Sequence, residues 1–169
     1  MELNKLIFLM ADNAKRICAL AGSVSEERAR WKPDHDSWSV LEVINHLFDI
    51  EKEDFRVFLD YTLYRPGETR PKIAPLEWVT ERAYNERDLE ESLKNFITAR
   101  EASLTWLRSL TPPDWEVIYE APWGKIRAGD IFAAWVAHDL LHMRQLVRLH
   151  WAYTMRLIEP YRTDYAGEW

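Results

Sequence analysis

The sequence predicts an all-α protein, with a four-helix bundle as the leading fold, from three observations. Only five of its 169 residues are glycine. Four long segments place apolar residues at three- and four-residue steps, the period of a helix with one buried face. One or two stretches at most have strand-like composition, too few for a large mixed sheet.

The first helix is predicted over about Leu3 to Leu20. Leu3, Leu6, Ile7, Met10, Ala14, Ile17 and Ala21 form its stripe, and Gly22 offers a stop. The second starts at WSVLEV, where Ser39 and Glu42 have capping-box spacing and Trp38 and Val43 hydrophobic-staple spacing. It should continue to about Leu63, before Pro66 and Gly67. RPGETRPKIAPL, residues 65–76, is predicted as a loop, and EWVTERAYNER adds a short helix. A third long helix starts near Asp88, with Glu91 completing a second capping box, and Pro112 and Pro113 end it. Leu93, Phe96, Ile97, Leu104 and Leu107 mark its buried stripe. Within residues 114–129, WEVIYE reads as extended and PWGK as a turn. The last long helix starts near Gly129 or Asp130 and passes Leu149. The tail from about Pro160, ending in YRTDYAGEW, carries no clear pattern. A single domain over residues 1–169 accounts for all of this. The two later connections exceed the shortest bundle loops, so helix order and handedness stay open.

Composition removes several classes. The net charge is −6, from 22 basic and 28 acidic residues, and no basic stripe is present, which argues against nucleic-acid binding. Cys18 stands alone, so neither an intrachain disulfide nor a cysteine zinc site can form. No run approaches the roughly 20 apolar residues of a membrane span. The N-terminal segment lacks the pattern of a signal peptide, and a reducing cytoplasm is the expected compartment.

The chemistry concentrates in HDLLHMRQ, residues 138–145. At about 100° per residue, Ile131, Trp135, His138, His142, Gln145 and Leu149 share the inward face of the last helix. A second apolar stripe, Ala133, Val136, Leu140 and Val147, runs up its other side and predicts a homodimer contact. On the second helix Ser39, Val43, His46, Ile50, Glu53 and Val57 lie near one face, which makes His46 a third inward histidine. His46 can approach the pair whether the two helices run parallel or, with offset starts, antiparallel. Two readings follow. The three imidazoles are core histidines, each hydrogen-bonded to a neighbour, or they hold one divalent ion that satisfies all three at once. Three histidines with one open position is also a catalytic zinc pattern. Ligand type admits zinc, nickel, iron and manganese, with zinc or nickel the first expectation.

The surrounding residues are weighed in the same way. Glu42 reads as a cap, and Asp49 and Glu53 as solvated or paired carboxylates that lie near the ligand face. Asp49 and Trp135 are pocket candidates, as are Trp38 and Trp123, although core packing is the simpler role for each tryptophan. His35 falls in a loop, and His150 falls at the end of the last helix, where a cation suits the dipole. A zincin peptidase needs H-E-x-x-H, and Asp139 stands where its glutamate belongs. A ferritin-like di-iron bundle needs two E-x-x-H motifs, and the sequence has none.

Three segments resemble the DinB-like (YfiT-like) four-helix-bundle metalloproteins. WSVLEVINHL, residues 38–47, is similar to the family's second-helix segment. PWGKIRAGDIFAAWVAHD, residues 122–139, is similar to its loop and the start of its last helix. HDLLHMRQL, residues 138–146, is similar to its H-x-x-x-H-x-x-Q segment. The resemblance implies a triad of His46, His138 and His142, with Gln145 in the place of the family's glutamine. Many relatives carry a second histidine beside the last ligand, where this chain has Leu141. It also implies homodimers and, for part of the superfamily, thiol-dependent S-transfer or isomerisation with mycothiol or bacillithiol. The leading expectation is therefore a metal-dependent enzyme, a thiol S-transferase or related hydrolase acting on a low-molecular-weight thiol and a small electrophile. The alternatives are a non-enzymatic stress-response or binding homodimer with a structural or vestigial metal, and a metal-free bundle.

Overall fold

The computed structural model describes residues 1–167. Four long helical segments carry the fold: α1 (Leu3–Gly22), α3 (Val40–Ile50) continued by α4 (Arg56–Tyr64), α6 (Leu89–Ser109) and α7 (Ala128–Ile158). Between α1 and α3 lies α2 (Glu26–Arg30), capped by Ser25, which periodicity is too short to signal. Residues 65–88 cross back along the bundle and hold α5 (Trp78–Glu81) and a 3-10 turn at Tyr84–Glu86. The connection to α7 contains β1 (Ile118–Ala121) paired antiparallel with β2 (Gly124–Arg127). Gly124 sits at φ +140, backbone that other residues rarely adopt, and closes the hairpin.

Local chemistry sets several helix starts. Ser39 and Glu42 form the full capping box, with Ser39 N–H donating to Glu42 Oε2 at 2.7 Å and Glu42 N–H donating to Ser39 Oγ at 3.1 Å. At α6 only half of the expected box is present. Asp88 Oδ1 accepts from Glu91 N–H at 2.8 Å, while Leu89 N–H is taken by Glu26.

The second long segment departs from a simple helix. A π-helical turn (Glu51–Phe55) separates α3 from α4. Its extra residue rotates the downstream face by about one position. Beyond the turn Phe58, Leu59 and Thr62 are buried, where the unbroken period placed Val57.

Residue pairings give the helix directions. Asn13 and Leu20 of α1 meet Asp139 and His150 of α7, so these two run parallel. Met10 of α1 meets Arg100 of α6, and Gly22 approaches Leu93, so that pair is antiparallel. Asn45 and Glu51 meet Ser92 and Arg100, so the second segment runs parallel to α6. Trp38 faces His142 while Phe55 stacks on Trp135, so the second segment and α7 are antiparallel. The bundle is therefore up, down, down, up. The long crossover at residues 65–88 follows from the two consecutive downward segments.

Two large apolar clusters fill the bundle interior, with two smaller ones beneath α2 and the crossover. One large cluster gathers Met10, Leu59, Leu104, Phe132 and Trp135, the other Ala14, Val43, Ile44, Phe96 and Leu146. Between them lies a hydrogen-bonded polar layer that draws on each long segment: Asn13, Glu51, Arg100 and Asp139. Arg100 is 2% exposed and donates to both carboxylates, at 2.9 and 3.0 Å to Glu51 and at 2.8 and 2.7 Å to Asp139. Asn13 donates to Asp139 and the Trp135 indole N–H to Glu51. Burial opposes the charge on Arg100, and the two carboxylates more than offset it, so the guanidinium is held charged.

Two expectations change here. α7 continues to Ile158, so His150 does not end it. Its Nε2–H donates to Leu20 O at 2.8 Å and its Nδ1 accepts from Arg28 at 2.6 Å, which fastens α1 and α2 to α7. Trp123 is 67% exposed at the hairpin tip and lines neither a pocket nor the core. The tail adds a 3-10 turn at Asp164–Ala166, and its last two residues lie outside the described ones. Among the described residues no helix is long and apolar enough to cross a membrane.

Candidate metal centre

His46 lies two turns into α3, and His138 and His142 lie one turn apart on α7. The antiparallel neighbours bring them together, because α7 begins level with the far end of the second segment. The candidate ligand atoms of all three lie within 4.8 Å of one another. His138 Nε2 and His142 Nε2 are 3.1 Å apart. Two nitrogens of a tetrahedral zinc site, each about 2.05 Å from the ion, stand about 3.3 Å apart, so this pair already has the span of a ligand edge.

The protonation pattern suits ligation. Burial pushes the His46 and His138 imidazoles down to about 3, with neighbouring histidines adding to the effect and Arg100 contributing at His138. Burial also lowers His142, partly opposed by its hydrogen bond to Gln145 and by the charge of Asp139. All three are thus neutral near pH 7, the form that offers a lone pair. Gln145 Oε1 lies 2.8 Å from His142 Nδ1. A carbonyl oxygen only accepts, so Nδ1 carries the hydrogen and Nε2 presents its lone pair to the centre. His46 Nδ1 is buried with no hydrogen-bond partner, a polar atom whose burial needs compensation. The residues fit a divalent ion.

These shifts predict an acid-sensitive bundle. The folded pKa values of His46 and His138 lie below the unfolded value near 6.5. Between about 6.5 and 3 the unfolded chain holds the extra protons, so stability falls as pH falls through that window and is level above it. Each histidine contributes a slope of up to about 1.4 kcal/mol per pH unit. Urea titrations of metal-free protein at stepped pH should show this decline, and a His46→Phe, His138→Phe protein should lose most of it. An unchanged slope in that variant would contradict the pKa assignment.

The walls of the centre are aromatic. Trp38 lies 4.9 Å from the His46 ring and parallel to His142 at 6.3 Å. Phe55, in the π-helical turn, sets an edge against His138 at 5.1 Å and stacks on Trp135. Trp135 therefore sits one layer beneath the triad, 1% exposed and tied to Glu51. Asp49 is buried, but its partners are the Tyr84 hydroxyl and Arg82, so it fastens the crossover to α3 rather than touching an imidazole. Glu53 also pairs with Arg82, and Glu42 is the cap, held by Lys32 as well. His35 is fully exposed beside Asp36. Arg100, Glu51 and Asp139 hold the floor. Two of them carry a sequence signal: Arg100 interrupts the apolar stripe between Ile97 and Leu104, and Asp139 adjoins an inward histidine.

Two clefts open on the centre. One, of ≈ 530 Å³, lies between Trp38 with the Pro33–Ser37 loop and His142, Gln145 and Arg148. The other, of ≈ 360 Å³, is formed along α7 by His138, Leu141, His142, Arg144, Gln145 and Arg148. Both are in the size range of small-molecule sites.

Comparison with known proteins agrees with this architecture. The model of the DinB superfamily matches residues 10–146. A solved structure, YfiT from Bacillus subtilis, superposes with a TM-score of 0.79 over 90% of this chain and 88% of its own, at 15% identity. That protein is described as a probable metal-dependent hydrolase with an unusual four-helix bundle topology. No curated protein sequence matches the chain.

Proposed function

This chain belongs to the DinB superfamily, and on that premise we propose that it is a metal-dependent enzyme whose centre is His46, His138 and His142. The observation that carries the proposal is the convergence of three neutral imidazoles from two helices at the base of open clefts, with one tautomer fixed by Gln145. The likeness to YfiT supports metal dependence as a working reading.

His46, His138 and His142 would hold the divalent ion, zinc or nickel first and iron or manganese next, and the bound ion would make a water or thiol more acidic. The chain's residues do the rest. Trp38 and Phe55 shield the imidazoles from bulk water. Gln145 holds His142 in register, and the Arg100 layer holds α7 against α3 beneath it. The reaction we favour is transfer of a low-molecular-weight thiol to a small electrophile, or a related hydrolysis, because two separate clefts share His142 and Gln145.

The test is a screen of thiol and electrophile pairs against metal-loaded protein. Turnover should disappear with a chelator and return with added metal. His142→Ala should lower it by more than about 100-fold, since even outer-shell changes cost 10–100-fold in such sites. Turnover that survives both treatments would reject a catalytic metal.

We further propose a homodimer through α7. Its outer stripe is narrower than the period implied, because Val136 is buried in the core. Leu140, at 51% exposed, and Val147 remain open on one side, about 100° away from Leu141 in the cleft. Light scattering should give twice the 20.1 kDa chain mass, falling to one chain in Leu140→Asp. A monomeric parent protein would rule the contact out.

A further inference from the structure

The cleft along α7 is cationic in a protein of net charge −6. It contains two arginines, Arg144 and Arg148, and no acidic residue. Both are exposed, and neither has an ion-pair partner among the described residues. Arg148 also lines the larger cleft, so it borders both approaches to His142. The one carboxylate there, Asp36, stands on the opposite loop within 3.1 Å of His35. Among the described residues Arg28, Arg56, Arg87, Arg108 and Arg156 also lack a carboxylate partner, but Arg144 and Arg148 are the pair that share one cleft with His138 and His142 of the triad. Arg65, Arg70, Arg82, Arg100 and Arg127 all hold carboxylates.

Arg148 borders the centre through Gln145, and Arg144 extends the same cleft edge one turn further along the outer side of α7. Arg148 lies six residues past His142, a rise of about 9 Å. Side chains on a helix lean toward its N-terminus, which carries the Arg148 stem back along the turn that holds Gln145. Arg144 stands one turn before it on the same edge. A guanidinium offers a planar pair of donors that suits a carboxylate, and two unpaired ones beside a neutral triad leave their charge for a ligand.

We propose that Arg144 and Arg148 form an anion-binding edge of the centre, and that the small molecule brought to the triad carries a carboxylate a few bonds from its metal-binding atom. The proposal rests on the metal-enzyme reading above and specifies its substrate class. Arg148 is the specificity residue, because it reaches both clefts.

The experiment uses the intact protein loaded with Co²⁺ and two probes of matched length, 3-mercaptopropionate and 3-mercapto-1-propanol. Binding is followed by the thiolate-to-cobalt absorption band. The carboxylate probe should bind about tenfold tighter at low salt, and the preference should shrink as salt is added. Arg144→Gln with Arg148→Gln should abolish the preference and leave the neutral thiol unchanged, while Arg148→Lys should retain part of it. Equal binding of the two probes by the parent protein, a preference that survives in the double glutamine variant, or no thiol binding to the cobalt form would each overturn the proposal. Bound cobalt, seen in its own visible bands, separates these failures from a failure of the metal site. Without cobalt uptake the metal reading itself falls and this inference falls with it.

Discussion

His46→Ala should leave the protein folded and nearly metal-free. His46 is the triad's link to α3, and its loss leaves two ligands on one helix. Outer-shell changes alone weaken metal sites by 10–100-fold, so removing a direct ligand should weaken binding by more than about 100-fold. The effect on the bundle itself should be small. The lost side chain carries a buried nitrogen with no hydrogen-bond partner, so the new cavity is offset by the removal of that atom. Metal content of protein purified without a histidine tag should fall from about one ion per chain to a trace. The rise in melting temperature on adding metal should vanish with it. Full occupancy in His46→Ala would exclude this residue as a ligand.

Arg100→Met should produce the largest loss of stability. Among the described residues the guanidinium is the only cation paired with Glu51 and Asp139, which are 2% and 1% exposed. Methionine fills much of the same space but strands two carboxylates in the interior. Breaking a buried ion pair in this way costs about 3–5 kcal/mol. For a chain of this size that lowers the melting temperature by about 6–20 °C. The combined variant Arg100→Met, Glu51→Leu, Asp139→Leu removes the charges together and should lose less than the single change. Thermal melts of the two proteins decide the matter. A single variant within about 1 kcal/mol of the parent would mean that the layer contributes little.

The triad was legible because it depends on local rules. Periodicity turned His138 and His142 inward, and Ser39 with Glu42 fixed where α3 begins and hence which face His46 takes. The ionic layer was not legible, because it depends on which helices are neighbours. Arg100 falls within the apolar stripe of its helix, one turn from Phe96 and from Leu104, but its partners appear only once α6 is placed between α1 and the second segment. Glu51 was hidden for a second reason. The π-helical turn shifts the buried face by one residue, and an unbroken period assigns positions 53 and 57 to the interior instead. His150 and Trp123 were misplaced by boundaries: α7 runs further than its last strong apolar position, and the hairpin carries its tryptophan outward.

The crossover at residues 65–88 bears on how the chain reaches this structure. In a bundle built from successive hairpins, each new helix docks on the one just made. Here the second segment and α6 point the same way, so no tight turn can bring them together. Pairs such as Asn45 with Ser92 and Glu51 with Arg100 close loops of more than forty residues. α1 meets α7 across longer separations still, 126 residues for Asn13 with Asp139. The entropy of closing such loops is lost before their contacts form, and folding slows as the mean separation of contacts grows. This bundle should therefore fold more slowly than a hairpin-built bundle of equal length. Helices should form early from their own caps and wait for the crossover before the two halves of the core can lock.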